Sequence, residues 1–202
     1  MKVVDWRGIR RLTAARLLTD TADAIEYDTP CPLCGTSKLS KPTETSTSKK
    51  YYDNVPAIII TSDGADEVGI DGSAIEDDVL SKLMGEYYDE ETGLYIEGEP
   101  EPAEYAIGYV TKKTDGTELL VWRLKGTFAY PEEEHNTEDD GTDSTGTTLT
   151  YSGVATQHKF KKHGKTAKAV RIPLDKFAAG EDAFFAQVQT PDTIAAAAAV
   201  TD

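Results

Sequence analysis

Cysteine, histidine and methionine are scarce in this chain: two, three and two among 202 residues. Two thiols make no disulfide framework, and a chain of this length can bury enough core to fold without one. No stretch approaches 18 consecutive apolar residues, so no membrane-spanning helix is expected, and the N-terminal MKVVDWRGIRRL lacks the apolar segment of a secretion signal. These shortages point to a protein made in a cytoplasm. Positive charge is short as well: Lys plus Arg number 21 against 36 Asp plus Glu, a formal net of −15. Gripping a nucleic-acid backbone relies on cations that replace the counterions around phosphate, so the average surface here does not hold DNA or RNA. It leaves room for a surface beside which nucleic acid passes without sticking.

What is present is enough to fold. With 39% hydrophobic residues, ten Tyr and five Phe, the chain is too apolar for a wholly disordered acidic polymer. Its charge is segregated. Residues 53–104 hold 16 acids against the single base Lys82, a net of −15, and Glu132–Asp143 adds seven acids and no base. Residues 158–176 reverse the sign, with seven bases against Asp175 alone. One acidic and one basic surface are expected, either folded back on each other or meeting across copies, where complementary fields steer encounter.

Along the chain, Ile9, Leu12, Ala15 and Leu18 suit a helix and an edge strand equally. Residues 19–50, rich in Pro, Asp and a Ser/Thr/Lys run, read as a long loop or arm with brief extended pieces. Ile58-Ile59-Ile60 marks a strand over 57–61, and 68–70 reads as the start of another after a Gly/Asp turn. A helix follows: Ser73 and Glu76 spell a capping box, Ile75, Val79 and Leu83 fall on one face, and Gly85 offers a stop. Residues 105–111 and 118–130 read as long strands joined by the turn at 113–117, with Tyr105/Ile107/Tyr109 on one face and Leu120/Trp122/Leu124 on one face of the partner. Residues 147–157 and 165–172 add two strands. The acidic loop 131–146 offers no apolar side chain to pack, and a short helical piece around Phe184 and Phe185 precedes an alanine-rich tail, 191–202, expected to fray. The fold class expected is mainly antiparallel β, a sandwich or half-barrel with one packed helix, as a single domain over 1–190.

Candidate chemistry is thin. Cys31-Pro32-Leu33-Cys34 is half of a zinc knuckle, and His135, His158 and His163 are the only nitrogen donors for the other half, the last two separated by four residues. A thioredoxin-like dithiol needs a helix start after a buried strand, whereas this one lies between prolines. The reading adopted is a tight, half-buried turn with reduced thiols. Asp139–Asp143, and Asp63, Asp66 and Asp71, loosely resemble oxygen-ligand loops but lack the twelve-residue calcium pattern. No constellation suits acid–base or nucleophilic catalysis. The expectation is therefore no enzyme and no catalytic, cofactor-binding or metal residues.

Four tracts carry a resemblance: KKYYDNVPA (49–57), DDVLSKLMGEYYDEETGLYIEG (77–98), EPAEYAIGYVTKKTDGTELLVWRLKGTFAYPEEEH (101–135) and TLTYSGVATQ (148–157). In order and spacing they resemble the major tail (tail tube) proteins of long-tailed bacteriophages over roughly residues 50–160. The resemblance implies a structural virion protein of the tail, assembled in the host cytoplasm, whose homo-hexameric rings close a barrel and stack into a hollow tube. DNA would pass through the lumen without specific binding, and tail-tip or baseplate, tape-measure and tail-terminator proteins would be the partners. Loop 131–146 and arm 19–50 are then the candidates for contacts between rings. The inner tube of a contractile phage tail or secretion-type machine fits the same features, and an acidic soluble binding module is the alternative of a different class. The Cys-x-x-Cys arm, the acidity of 132–143 and the alanine-rich terminus depart from the family pattern.

Overall fold

In the computed structural model, the ambiguous N-terminal segment is a strand. The structure describes residues 3–52, 55–101, 103–135 and 145–194, with backbone alone for 43–52 and 55–63. β1 (Trp6–Asp20) changes register twice, around Gly8 and around Arg11, whose φ of 59° is left-handed. Such bulges bend a strand and tighten its twist, which lets β1 wrap instead of running flat.

The stretch read as an arm, 19–50, is mostly strand: β2 (Ile25–Tyr27), β3 (Cys31–Pro32), β4 (Thr36–Ser40) and β5 (Thr43–Tyr52). Its turn-forming residues occupy the short gaps, while the Thr-rich run 43–50 has the β-branched composition that a paired strand accepts. The two strands expected at 57–61 and 68–70 are one, β6 (Val55–Gly72); the intervening Asp-Gly is absorbed as a register shift against β5. α1 (Asp77–Met84) ends at Gly85 as expected, with φ 72° and its N–H on the Ser81 carbonyl. The capping box does not form. Glu76 is the N-cap, and the Ser73 hydroxyl instead accepts the Gly35 N–H at 3.1 Å. A hairpin of β7 (Tyr87–Asp89) and β8 (Leu94–Ile96) follows, then the expected pair β9 (Tyr105–Lys113) and β10 (Glu118–Phe128). β11 (Glu132–Glu133), β12 (Thr147–Gly153), β13 (Ala169–Pro173) and the short α2 (Gly180–Phe185) complete the chain. Residues 136–144, with the calcium-like Asp139–Asp143, and 195–202 lie outside the described residues. Pro191–Ile194, the described part of the expected tail, is helical and packs Ile194 on the core.

Eleven strands share one antiparallel sheet, whose main path runs β2-β1-β9-β10-β12-β6-β4. β3 adds to β1, β13 to β10, β5 to β6 and β11 to β12. At the far end of the path β4 returns against β1, so the sheet curls into a half-barrel. The fold is mainly β, as expected.

Its central strands are buried on both faces. Tyr105, Ile107 and Tyr109 point into the barrel with Leu12, Val68, Ile70, Val121 and Tyr151, where α1 contributes Leu80, Leu83 and Met84. The alternate set, Ala106 and Val110 with Leu120, Trp122 and Leu124, packs outside under Phe160, Phe177, Phe184 and Phe185. This explains the nearly unbroken apolar runs of β9 and β10, since a strand covered on both sides has no solvent face to alternate with. The Trp122 Nε1–H donates to the Phe184 carbonyl at 3.1 Å, which satisfies the buried indole.

Candidate functional site

Arg123 and Lys125 stand in the otherwise apolar run of β10, and each ends at a buried carboxylate. Charges on a buried strand need partners, because an unpaired one costs several kcal/mol. The Lys125 ammonium lies 2.9 Å from Asp20 and 3.2 Å from Glu104, with the Lys125 and Asp20 side chains 8% and 3% exposed. Asp20 also accepts the N–H groups of Gln157 and His158. Burial pushes the Asp20 carboxyl up, but the Gln157 amide, the Lys125 ammonium and the His158 amide outweigh it and hold the group below the usual carboxylate range. The cluster ties the end of β1 to β10 and to the segment after β12.

Two residues earlier in β10, Arg123 donates to Asp66 at 3.0 Å and to the Tyr109 hydroxyl at 3.4 Å. Lys41 and Lys168 also reach Asp66, at 3.4 and 3.5 Å. Burial raises the Asp66 carboxyl, and these three cations together bring it below its ordinary value. Of the acids at 63, 66 and 71, which loosely resemble an oxygen-ligand loop, Asp66 is taken up by three cations and Asp71 pairs with Lys38 at 3.3 Å, while the Asp63 side chain is outside the described residues.

Above this cluster the half-barrel opens into a cleft of ≈ 650 Å³ bordered by Trp6, Ile9, Leu39, Tyr109, Arg123 and Arg171. Trp6 is 59% exposed, with the Arg171 guanidinium 6.0 Å and the Lys113 ammonium 5.7 Å from its ring. The Arg123 Nε is buried and has no hydrogen-bond partner among the described residues. α1 covers the other end of the barrel, where the Tyr105 hydroxyl donates to the Lys82 carbonyl.

Two further features stand out. Arg10 and Arg11 turn outward at the bulge of β1 to meet Glu181 and Asp182 of α2, and Arg11 lies 4.8 Å over the Phe185 ring. This fastens the C-terminal segment onto the outer face. β5 and β6 form a ribbon in which β6 pairs with β12 only over Asp66–Gly72; from Val55 to Ala65 it has β5 alone as a partner among the described residues. With ten residues in β5, the ribbon extends roughly 30 Å.

The thiols are free and half-buried as expected, but in place of the expected tight turn Cys31 stands in β3, directed at the Ala14 carbonyl, and Cys34 in the link from β3 to β4. Burial pushes both thiols up, which keeps them protonated and unreactive near neutrality. His158 and His163 do not join them; His158 meets the Phe160 ring edge-on and His163 stacks on it. Among the described residues no group of three or more His, Cys, Asp or Glu is placed to hold a metal ion, and no helix is long and apolar enough to cross a membrane.

No protein-family model matches this chain, and no curated protein is significantly similar to it. The functional reading therefore rests on geometry. Sequence reasoning missed both buried ion clusters, although Arg123 and Lys125 within Leu119-Leu120-Val121-Trp122-Arg123-Leu124-Lys125 were the signal for them.

Proposed function

We propose that this chain is a structural protein of a phage tail tube: copies form hexameric rings that stack into a conduit for DNA, without catalysis. The observation that carries the reading is the β5–β6 ribbon. An isolated two-stranded ribbon is marginally stable in water, and its outer edges present unpaired N–H and C=O groups that template pairing with another chain. A ribbon roughly 30 Å long is therefore built to be covered by a neighbouring copy. It includes the end of the arm expected to bridge rings. The curled sheet supports the same reading, because six half-barrels joined edge to edge close a larger barrel and remove its free edges. Lateral contacts between identical copies close a ring, whereas stacking contacts do not close and propagate a tube.

The net charge of −15 suits a lumen that repels phosphate and lets DNA slide. Negative-stain microscopy of the purified full chain across a concentration series tests the proposal. Rings or hollow filaments of uniform width are expected; a chain that stays monomeric at the highest concentration overturns it.

A further inference from the structure

The cleft and the β7–β8 hairpin have opposite character and share no residue. The cleft carries Lys38, Lys41, Arg123 and Arg171; Lys38 pairs with Asp71, and Lys41 and Arg123 share Asp66, so four cations meet two carboxylates and the opening keeps a cationic surplus. Arg171 has no carboxylate partner among the described residues, and the exposed Trp6 indole flanks it. The hairpin reverses this composition. Residues 85–101 contain seven acids and no base. The register pairs Tyr87 with Ile96 and Asp89 with Leu94, so these four share a face. Tyr87, Leu94 and Ile96 are 60%, 52% and 49% exposed, with Glu90, Glu91, Glu97 and Glu99 exposed beside them. Exposed large apolar side chains clustered on one small hairpin mark an interaction surface.

None of the hairpin residues lines the cleft of its own chain. The hairpin continues directly from α1, which covers the Tyr105 end of the barrel, while the cleft lies by Thr111, roughly 20 Å further along β9. A surface whose complement lies elsewhere on the same molecule makes a heterologous contact, which repeats from copy to copy.

We propose that the β7–β8 hairpin of one copy docks into the cationic cleft of the next, its exposed apolar side chains against Trp6, Ile9 and Leu39 and its carboxylates facing Arg171, Lys38 and Lys41. The contact names a partner surface for the assembly put forward above and rests on that reading only in taking a second copy as the occupant. The hairpin's charge and apolar content match the cleft, and charge complementarity of this kind fixes register and rejects wrong partners.

Carbodiimide cross-linking of the full chain, in a mixture of light and heavy isotope-labelled copies, reads the contact directly. Links from Lys38 or Lys41 to Glu90, Glu91, Glu97 or Glu99 between light and heavy chains are expected; intermolecular links elsewhere with none of these overturn the docking. Charge reversal gives a second readout. Lys38→Glu/Arg171→Glu and Glu90→Lys/Glu97→Lys should each raise the concentration needed for assembly about ten-fold or more, and mixing the two variants should restore it. Circular dichroism checks that both variants are folded, and the exposed Tyr87→Ser/Ile96→Ser variant tests the same contact without touching the cleft. Hollow tubes that persist unchanged in all three variants sink the docking and leave the tube. Solid, lumen-free fibres carrying the expected cross-links sink the tube and keep the docking, and a strictly monomeric chain sinks both.

Discussion

Lys125 is buried and meets two carboxylates, Asp20 and Glu104. Replacing it by Met leaves Asp20, 3% exposed, charged and short of its cation, so Lys125→Met should lower unfolding free energy by about 3–5 kcal/mol, read from denaturant titration. Asp20→Asn/Lys125→Met should recover part of that loss. The acid response follows from the same groups. Asp20, Asp66, Glu181 and Asp192 are all held below the ordinary carboxylate value. Their contribution to stability is complete above the unfolded value near 4 and is lost as pH falls through the lower folded values. The melting temperature should thus be flat from about pH 8 to 5 and drop steeply below about pH 4, with a shallower drop in Lys125→Met. At Gly126 the constraint is space. A Cβ there would lie 2.4 Å from Tyr151 Cζ and 2.5 Å from the Ser152 carbonyl oxygen, which cannot swing away as a flexible side chain would. Gly126→Ala should cost roughly 1–3 kcal/mol in the same titration, and a neutral result would show that the strand can shift at this bulge.

Strands and helices differ in how far their own sequences announce them. β9, β10 and α1 were legible because their signals are local: alternating or continuous apolar residues, a Gly-bearing turn and a left-handed glycine stop. β4, β5 and the middle of β6 were not, since Ser, Thr, Lys and Asp residues become strand only when a partner completes their hydrogen bonds, and the partner is not written in the segment itself. The capping box failed for a related reason: Ser73 finds Gly35, 38 positions away, and a local rule does not see it. The candidate site was hidden further still. Trp6, Leu39, Tyr109 and Arg171 come from four strands, and only the curl of the sheet brings them to one opening. At this scale the ribbon makes the sharpest prediction. Replacing residues 45–63 by a short turn removes backbone whose strand pairing, among the described residues, is with itself, so the barrel should keep its melting temperature within a few degrees while tube formation disappears. Tubes of normal width from the shortened chain would remove the main support for the proposed assembly.

For the whole molecule, the acids of 53–104 set the charge, and the basic residues of 158–176 offset the loop at 132–143. In the proposed tube, changing lumen-facing acids to their amides should slow DNA ejection in a real-time release assay, because the wall would no longer repel phosphate. Unchanged kinetics would count against an electrostatic role for the wall. The strand order also decides when the chain can fold. β1 pairs with a strand far downstream, Arg16 opposite Tyr105 and Trp6 opposite Lys113, and β10 receives β13 only near the end of synthesis. At ribosomal speed the gap from β1 to β9 amounts to roughly 5–20 s. Through that interval Leu12, Ala14 and Ala15 emerge without the strand that will cover them, followed by the acid-rich stretch from 53 onward. Mutual repulsion between nascent chains should then keep unfinished sheets apart, so that the acid-rich stretch 53–104 would serve the chain as its own chaperone before it has any neighbour to meet.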